Sequence, residues 1–209
     1  MRICYIVGAG DFDTPFYPEE GDLVIAADGG LSHLLAHGIR CDLAIGDFDS
    51  LGELPLGCEY IKFPVEKDFT DTALALFEGK ERGYTRFVIL GGTGGRDDHT
   101  FANYSLLLKA KELGCRAKLV SKNATALVIK NEEIRIKCDT GCHLSAFAFG
   151  GEAKGVSISG LKYEASDITL SVSSALAACN LFDGRVAKIR VTDGTLLLIA
   201  ESGDAKIYE

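Results

Sequence analysis

"RFVILGGTGGRDDHTFANYSLLLKAKELG", residues 86–114, contains an apolar run, a glycine-rich loop and a helical stretch in direct succession. The run at 86–90 is short, continuous and apolar, which is typical of a strand buried on both faces of a parallel sheet. Apolar residues then recur at helical spacing over 98–113, and Gly114 follows as the expected C-cap signal. The stretch therefore predicts the strand–loop–helix unit from which α/β folds are built.

The same unit recurs through the first half of the chain. Apolar, strand-like runs lie at 2–7, 22–27, 42–45, 60–63, 86–90 and 117–120. Helical stretches lie between them at 30–37, 68–82 and 98–113, each ending just before a glycine. Alternation of this kind predicts an α/β domain with a parallel sheet and right-handed crossovers.

The pattern changes after about residue 123. Seven candidate strands then follow one another with no helical stretch between them, separated by turn signals such as "FGGE" and "TDG". In "AKIRVT", residues 187–192, apolar and polar residues alternate as on a half-buried strand. We therefore expect an α/β parallel-sheet domain over 1–123, followed by an all-β sandwich or barrel domain over 124–209.

Composition narrows the set of partners and compartments. The 209 residues carry a formal net charge of −8, which repels the phosphate backbone and argues against nucleic acid as a partner. No apolar stretch is long enough to cross a bilayer, and the N-terminal "MRICYIVGAG" lacks the long apolar segment of a secretion signal. The seven cysteines are odd in number and scattered, which favours reduced thiols in a cytoplasmic protein.

Acidic residues follow four successive predicted strands, in the segments 28–30, 46–50, 67–71 and 91–99. Ligands of open α/β sheets bind outside the carboxyl ends of the strands, so we expect these acids to meet at one edge. Asp47 and Asp49 stand almost side by side, and close carboxylates repel one another unless a cation lies between them. Mg²⁺ prefers oxygen ligands and leaves coordination positions for substrate phosphates. Asp47 and Asp49 are therefore predicted to hold a metal ion that in turn holds a phosphate chain.

Two further elements have two interpretations each. Asp68 is a candidate N-cap with Asp71 three residues on, so the two acids either cap the helix or belong to the site. Arg96 either offers a positive fork to a phosphate beside glycine N–H groups or is a surface residue of a flexible loop.

Two other motifs are incomplete: "GAGDFD" at 8–13 lacks the third glycine of a dinucleotide loop, and "CDTGCH" at 138–143 lacks the second half of a zinc site.

The strand-end motifs carry a resemblance to a known family. Six segments of the chain resemble, in the same order, the motifs of the thiamine pyrophosphokinase family. They are "DGG" (28–30), "GDFDS" (46–50), "KDFTD" (67–71), "GGTGGRDDH" (91–99), "GLKY" (160–163) and "CN" (179–180). The resemblance implies transfer of the terminal diphosphate of ATP to the hydroxyethyl oxygen of thiamine, which gives thiamine diphosphate and AMP and requires Mg²⁺. It also implies an α/β catalytic domain, a β-sandwich thiamine-binding domain, and a homodimer whose acceptor site lies between the subunits.

The resemblance also implies roles for individual residues. The catalytic roles fall on Asp49, Asp71 and Arg96. The Mg²⁺ ligands would be Asp47, Asp49 and Asp71. The ATP and diphosphate site would be lined by Asp28, Lys67, Asp68, Thr70 and Asp98. The thiamine pyrimidine would be approached by Cys179 and Asn180.

The acceptor is the least determined part of this hypothesis. Cys179 stands where the family usually has serine, and a thiol is a weaker hydrogen-bonding group than a hydroxyl. "GLKYEAS", residues 160–166, also lacks the proline–leucine continuation common in the family. A diphosphokinase that acts on another heteroaromatic alcohol, such as a hydroxymethylpterin, therefore remains an alternative. From a different class, the alternative is a non-catalytic sensor of a nucleotide or a divalent ion.

Overall fold

The computed structural model describes residues 2–14, 16–46, 57–62, 68–201 and 205–208. The chain divides into two compact units, Met1–Ser121 and Lys122–Glu209. Among the helices described, none is long and apolar enough to cross a membrane.

Strands and helices alternate in the first unit. Its elements, in chain order, are β1 (Cys4–Val7), β2 (Leu23–Ala27), α1 (Gly30–Ala36), β3 (Leu43–Gly46), β4 (Glu59–Lys62), α2 (Asp71–Glu81), β5 (Arg86–Leu90), α3 (Asp97–Glu112) and β6 (Arg116–Val120). The strands lie in the order β6-β5-β1-β2-β3-β4, and each neighbouring pair is parallel. This is the parallel α/β arrangement that the alternation of the sequence predicts.

The core of this unit explains why the strands have continuous apolar sequences. All five residues of β2 are buried, as expected for a strand covered on both faces. On one face, Leu31 and Leu34 of α1 pack with Val24. Gly30, the first residue of α1, lies so close to β1 that a Cβ there would be 1.8 Å from the Val7 carbonyl oxygen. Glycine at this position therefore lets the helix approach the strand backbone.

The second helix begins later than the sequence predicts. It starts at Asp71 because the Thr70 Oγ1 accepts a hydrogen bond from the Ala73 N–H at 3.2 Å, which makes Thr70 the N-cap. Of the two interpretations of Asp68, the one that makes it the N-cap is therefore wrong, and Asp68 lies outside the helix. The third helix begins at Asp97, with Arg96 as its N-cap residue.

The second unit consists of strands. Its elements are β7 (Thr125–Lys130), β8 (Glu133–Lys137), β9 (His143–Ala148), β10 (Ala153–Ser159), β11 (Ala165–Leu170), β12 (Asn180–Leu181), β13 (Ala187–Arg190), β14 (Thr195–Ala200) and β15 (Lys206–Tyr208). They pair antiparallel in the orders β12-β9-β14-β7 and β11-β10-β13-β8-β15. The sequence does not predict β12 and β15, which span two and three residues and are too short to show alternation.

The buried faces of the two antiparallel sheets contribute to one hydrophobic core. Ile129 and Leu196 reach this core from one sheet, and Ile158 and Ile189 reach it from the other. Along β13 the burial pattern alternates between buried and exposed residues, as "AKIR" predicts. The second unit therefore encloses a hydrophobic core of its own residues.

Candidate functional site

The loops at the carboxyl edge of the parallel sheet are joined backbone to backbone. Three hydrogen bonds connect the loop after β1 (8–11) to the end of β5 and the loop after it: Gly8 N to Leu90 O at 2.8 Å, Gly10 N to Gly91 O at 2.7 Å, and Asp11 N to Thr93 O at 2.8 Å. A Cβ on Gly10 would lie 2.3 Å from the Thr93 carbonyl oxygen. The glycines of "GAGD" therefore permit close packing of two strand-end loops, a role that the incomplete dinucleotide motif does not reveal.

Asp28, at the end of β2, lies beside the end of β3. Its N–H donates to the Ile45 carbonyl at 2.8 Å, and a Cβ on Gly46 would be 3.3 Å from the Asp28 Cα. Its backbone is left-handed, with φ 51°, a conformation that aspartate tolerates better than most residues. The side chain is exposed. Asp28 therefore stands at the carboxyl edge, next to the residue that immediately precedes Asp47 in the chain.

The N-terminus of α2 lies at the same edge of the sheet. This helix packs against β1, β2 and β3, and a right-handed crossover between parallel strands starts its helix at the carboxyl edge. Asp71 is the first helical residue and is half-buried, whereas Asp68 and Thr70 are exposed. The backbone N–H groups and the positive end of the helix dipole favour a carboxylate at this position.

Arg96 and Asp98 form an ion pair at the N-terminus of α3. Arg96 donates from Nη2 to Asp98 Oδ2 at 2.6 Å and from Nε to Asp98 Oδ1 at 3.1 Å. These hydrogen bonds hold the pKa of the Asp98 carboxyl below its usual range, so the carboxyl is charged at neutral pH. Both side chains are mostly exposed, at 72% and 61%, so solvent screens the attraction between the two charges.

Asn103, in α3, holds the glycine-rich loop through a side-chain hydrogen bond. Its side chain is buried, and its Nδ2 donates to the Gly92 carbonyl at 2.8 Å. A Cβ on Gly92 would lie 2.6 Å from Leu119 Cδ1 and 3.0 Å from the Asn103 amide, so loop and helix are in close contact. The sequence reasoning missed Asn103. The signal that was available is a single amide among the apolar positions of an amphipathic helix.

In the second unit, Asn180 holds the "GLKY" segment. The buried Asn180 side chain donates from Nδ2 to the Tyr163 carbonyl at 2.6 Å and accepts from the Tyr163 N–H at 2.9 Å. Its Oδ1 also accepts from the Leu181 N–H at 2.9 Å. The preceding Cys179 is exposed, has a left-handed backbone with φ 55°, and donates its N–H to Ser145 Oγ at 3.0 Å. The structure therefore brings the two motifs "GLKY" and "CN" together.

Two family models match the chain, one in each part. The model described as "Thiamin pyrophosphokinase, catalytic domain" matches residues 17–119, and that described as "Thiamin pyrophosphokinase, vitamin B1 binding domain" matches residues 130–196. The chain belongs to the thiamine pyrophosphokinase family. The thiamine pyrophosphokinase catalytic model includes Asp28, Asp71 and Arg96, and the vitamin B1 binding model includes Tyr163 and Asn180.

Relatives of that name resemble this chain over nearly its whole length. The thiamine pyrophosphokinase of Bacillus subtilis strain 168 is 28% identical over 194 residues, which is 90% of this chain and 91% of that protein. The crystal structure of thiamine pyrophosphokinase from Bacillus subtilis has a TM-score of 0.87 at 26% identity and covers 97% of this chain and 99% of that one. For thiamine pyrophosphokinase from Geobacillus thermodenitrificans, the TM-score is 0.81 at 28% identity, with 96% and 97% covered.

The predicted metal site is only partly within the described residues. Asp47, Asp49 and Lys67 lie outside them, whereas Asp71 is described. No group of three or more His, Cys, Asp or Glu side chains within the described ranges is placed to hold a metal ion. The predicted ligand set, three carboxylates, has the oxygen chemistry that Mg²⁺ prefers, so the residue types fit that ion. That these carboxylates bind Mg²⁺ stays a prediction.

We expect Asn180→Ala to lower the free energy of unfolding by about 2 kcal/mol, because the substitution leaves backbone groups of Tyr163 without their partner. Denaturant-induced unfolding monitored by circular dichroism measures this change. Asn123→Ala, at an exposed turn, is the control and is expected to stay within about 0.5 kcal/mol of the unmodified protein. Equal midpoints for the two variants would contradict the anchoring role of Asn180.

Proposed function

We propose that this chain is an ATP-dependent thiamine pyrophosphokinase, which transfers the terminal diphosphate of ATP to the hydroxyethyl oxygen of thiamine. The products are thiamine diphosphate and AMP. The main support is that the catalytic and the vitamin B1 binding models of one family match this chain in order. The hydroxymethylpterin alternative is not supported by these relatives, which are named for thiamine.

We assign ATP and Mg²⁺ binding to residues 1–123 and thiamine binding to residues 124–209. The shared core of the two antiparallel sheets supports a β-sandwich rather than a barrel for the second domain. We also propose a homodimer with the thiamine site between subunits. A cytoplasmic location is our further proposal, supported by seven cysteines that are all free thiols.

In this proposal, Asp47, Asp49 and Asp71 hold Mg²⁺ at the carboxyl edge of the sheet. A bound Mg²⁺ ion would neutralise negative charge on the diphosphate group during its transfer. The position of Asp71 supports its role, because its half-buried side chain lies at the N-terminus of α2, where the helix dipole favours negative charge.

The transfer requires a defined arrangement of the reacting groups. The hydroxyethyl oxygen of thiamine forms a bond to the β-phosphorus of ATP, the bond from that phosphorus to the oxygen of the α-phosphate breaks, and AMP leaves. A strand-end carboxylate accepts the proton of the hydroxyl group. Catalysis of this kind depends on positioning and on charge neutralisation more than on covalent chemistry by the protein.

The glycine-rich loop after β5 would hold the phosphate groups. Its glycines leave the backbone accessible, Asn103 fixes the loop from the helix side, and Arg96 stands at its end with an exposed guanidinium group. A guanidinium fork matches two phosphate oxygens at once. Asp98 keeps that fork oriented until a phosphate replaces it. Asp28, Lys67, Asp68 and Thr70 would complete the ATP site at the same edge.

We expect Arg96→Ala to lower kcat/KM for ATP by about 100-fold, because a charge-assisted fork to the phosphates is lost. Arg96→Lys keeps the charge but not the fork, so it should recover only part of this loss. Steady-state kinetics with varied ATP measure both variants. Lys109→Ala, in the last turn of the same helix, is the control for loss of a positive charge. An Arg96→Ala variant as active as this control would exclude Arg96 from the site.

In the proposed thiamine-binding domain, the Asn180 side chain has little hydrogen-bonding capacity left. Two backbone N–H groups already donate to its Oδ1, and one of its two amide hydrogens goes to Tyr163. Asn180 would therefore act mainly by positioning the "GLKY" segment, with at most one N–H available to thiamine. Cys179, which is exposed, would contact the substrate directly.

Identification of the products tests the proposed function. The full chain is incubated with ATP and Mg²⁺, with thiamine or with a hydroxymethylpterin, and the products are identified by mass spectrometry. The proposal predicts thiamine diphosphate and equimolar AMP, and neither product when thiamine is omitted. Transfer only to the pterin would establish the alternative acceptor, and ADP with thiamine monophosphate would contradict the transfer of a diphosphate. No product with either acceptor would favour the sensor.

A further inference from the structure

Two thiols of the first unit face each other in contact. Cys41 precedes β3 and Cys58 precedes β4, and their Sγ atoms are 3.0 Å apart. Both side chains are half-buried, and both pack against the apolar core on this side of the sheet. The cysteines are free, and the function proposed above uses neither.

The backbone around the pair is already held in place. β3 and β4 are adjacent parallel strands, with Leu43 opposite Glu59 and Gly46 opposite Lys62. The chain therefore enters two neighbouring strands at the two cysteines, at the separation of paired strands. A disulfide needs its two Cα atoms within roughly 7 Å of each other, which neighbouring strands satisfy. The two sulfur atoms, now 3.0 Å apart, have to approach by about 1 Å to reach the length of a disulfide bond.

The surroundings favour the thiol form at rest. Burial raises the pKa of both thiols, and the nearby carboxylates of Asp42 and Glu59 add to the increase at Cys58. Each sulfur also lies near a backbone carbonyl, at 3.3 Å from Leu43 O for Cys41 and at 3.2 Å from Glu59 O for Cys58. Because the thiolate is the reactive form and these thiols are mostly protonated, we expect the oxidation of Cys41 and Cys58 to be slow.

We propose that Cys41 and Cys58 are a disulfide-forming site that is oxidised by low-molecular-weight disulfides. One cysteine loses its proton, and its thiolate attacks a sulfur of the oxidant and releases one small thiol. The second cysteine then displaces the remaining small thiol from this mixed disulfide, which forms the Cys41–Cys58 bond. Two electrons pass from the cysteines to the oxidant, and the two protons appear on the two small thiols that are released.

The bond would close a loop that is important for the proposed function. The chain between Cys41 and Cys58 includes Asp47 and Asp49, so the cross-link ties together the two ends of this segment. Whether this matters for catalysis rests on the proposed role of these aspartates as metal ligands. The disulfide itself does not, because its formation depends only on the two thiols.

Peptide mapping tests the proposal directly. The full chain is incubated for hours with oxidised glutathione, the remaining thiols are alkylated, and the protein is cleaved after glutamate. Glu53 lies between the two cysteines, so cleavage there separates them unless a disulfide joins the peptides. We expect a cross-linked pair of peptides that is lighter by two hydrogen atoms than their sum and that separates on treatment with dithiothreitol.

Two comparisons distinguish this site from general oxidation. The cross-link must be absent from Cys41→Ser and from Cys58→Ser; two variants are used so that one can still report if the other fails to fold. Cys138 and Cys142, which are also hydrogen-bonded to each other, provide an internal comparison. Free thiols at both Cys41 and Cys58 after oxidation, separate glutathione adducts on each, or oxidation confined to other cysteines would overturn the proposal. Because the readout is covalent, failure of the proposed enzyme activity leaves this test unaffected.

Discussion

Asp71→Asn is expected to lower turnover by about 100- to 1,000-fold at saturating ATP, thiamine and Mg²⁺, a loss of the size seen when one transition-state contact is removed. The substitution keeps the shape of the side chain but removes the charge that would hold the metal ion. Asp71 is the first residue of α2, and Thr70 rather than Asp71 provides the side-chain cap, so the helix should persist. The initial rate of AMP formation measures the effect.

The control for this variant lies in the same helix. Glu81→Gln neutralises an exposed carboxylate at the last residue of α2, at the opposite end from Asp71, and should leave the rate unchanged. Circular dichroism verifies that both variants are folded. We expect Asp49→Asn to behave like Asp71→Asn, because the two residues have the same proposed role. Turnover by Asp71→Asn equal to that of Glu81→Gln would exclude Asp71 from the metal site.

The second large effect concerns folding of the first unit. Gly30→Ala is expected to lower the free energy of unfolding by more than about 3 kcal/mol, because it overpacks a site where nothing can yield. The added Cβ would lie 1.8 Å from the Val7 carbonyl oxygen and 2.6 Å from the Val7 carbonyl carbon, and both are backbone atoms of a central strand. Either β1 or α1 must shift, which separates α1 from the sheet. Denaturant-induced unfolding of the purified variant measures the loss.

Gly151→Ala provides the matched comparison. A Cβ at Gly151 meets nothing within 4 Å and its φ is not positive, so this substitution should change the free energy of unfolding by less than about 0.5 kcal/mol. If Gly30→Ala unfolds at the same denaturant concentration as Gly151→Ala, the described approach of α1 to β1 is wrong.

The features that the sequence predicts are those that depend on residues close together in the chain. The parallel sheet is predictable because β2 and its neighbours are short apolar runs, and the edge is predictable because acids and glycines follow those runs. The sequence does not determine the N-cap of α2, because Asp68 and Thr70 both belong to the residue types that cap helices. Only the backbone conformation, in which the Thr70 hydroxyl reaches the Ala73 N–H, decides between them.

The features that the sequence does not predict depend on contacts between distant residues. Asp11 and Thr93 are joined by a backbone hydrogen bond, which no side-chain pattern records. Asn180 is identified by its motif, yet its pairing with Tyr163 follows from how β12 meets the connection between β10 and β11. The role of Asn103 likewise depends on a distant residue, because its hydrogen-bond partner is the Gly92 carbonyl in the glycine-rich loop. Anchoring residues of this kind become visible only when the fold brings them to their partners.

One measurement tests most directly whether acids from separate strand ends hold a single divalent ion. Fe²⁺ replaces Mg²⁺ in the presence of a non-hydrolysable ATP analogue, ascorbate and peroxide are added, and mass spectrometry locates the backbone cuts made by radicals released at the ion. We predict cuts in the segments that follow β2, β3, β4 and β5, near Asp28, Asp49, Asp71 and Arg96, all suppressed by excess Mg²⁺. Cuts confined to one of these segments, or scattered over both units and insensitive to Mg²⁺, would contradict a shared metal site.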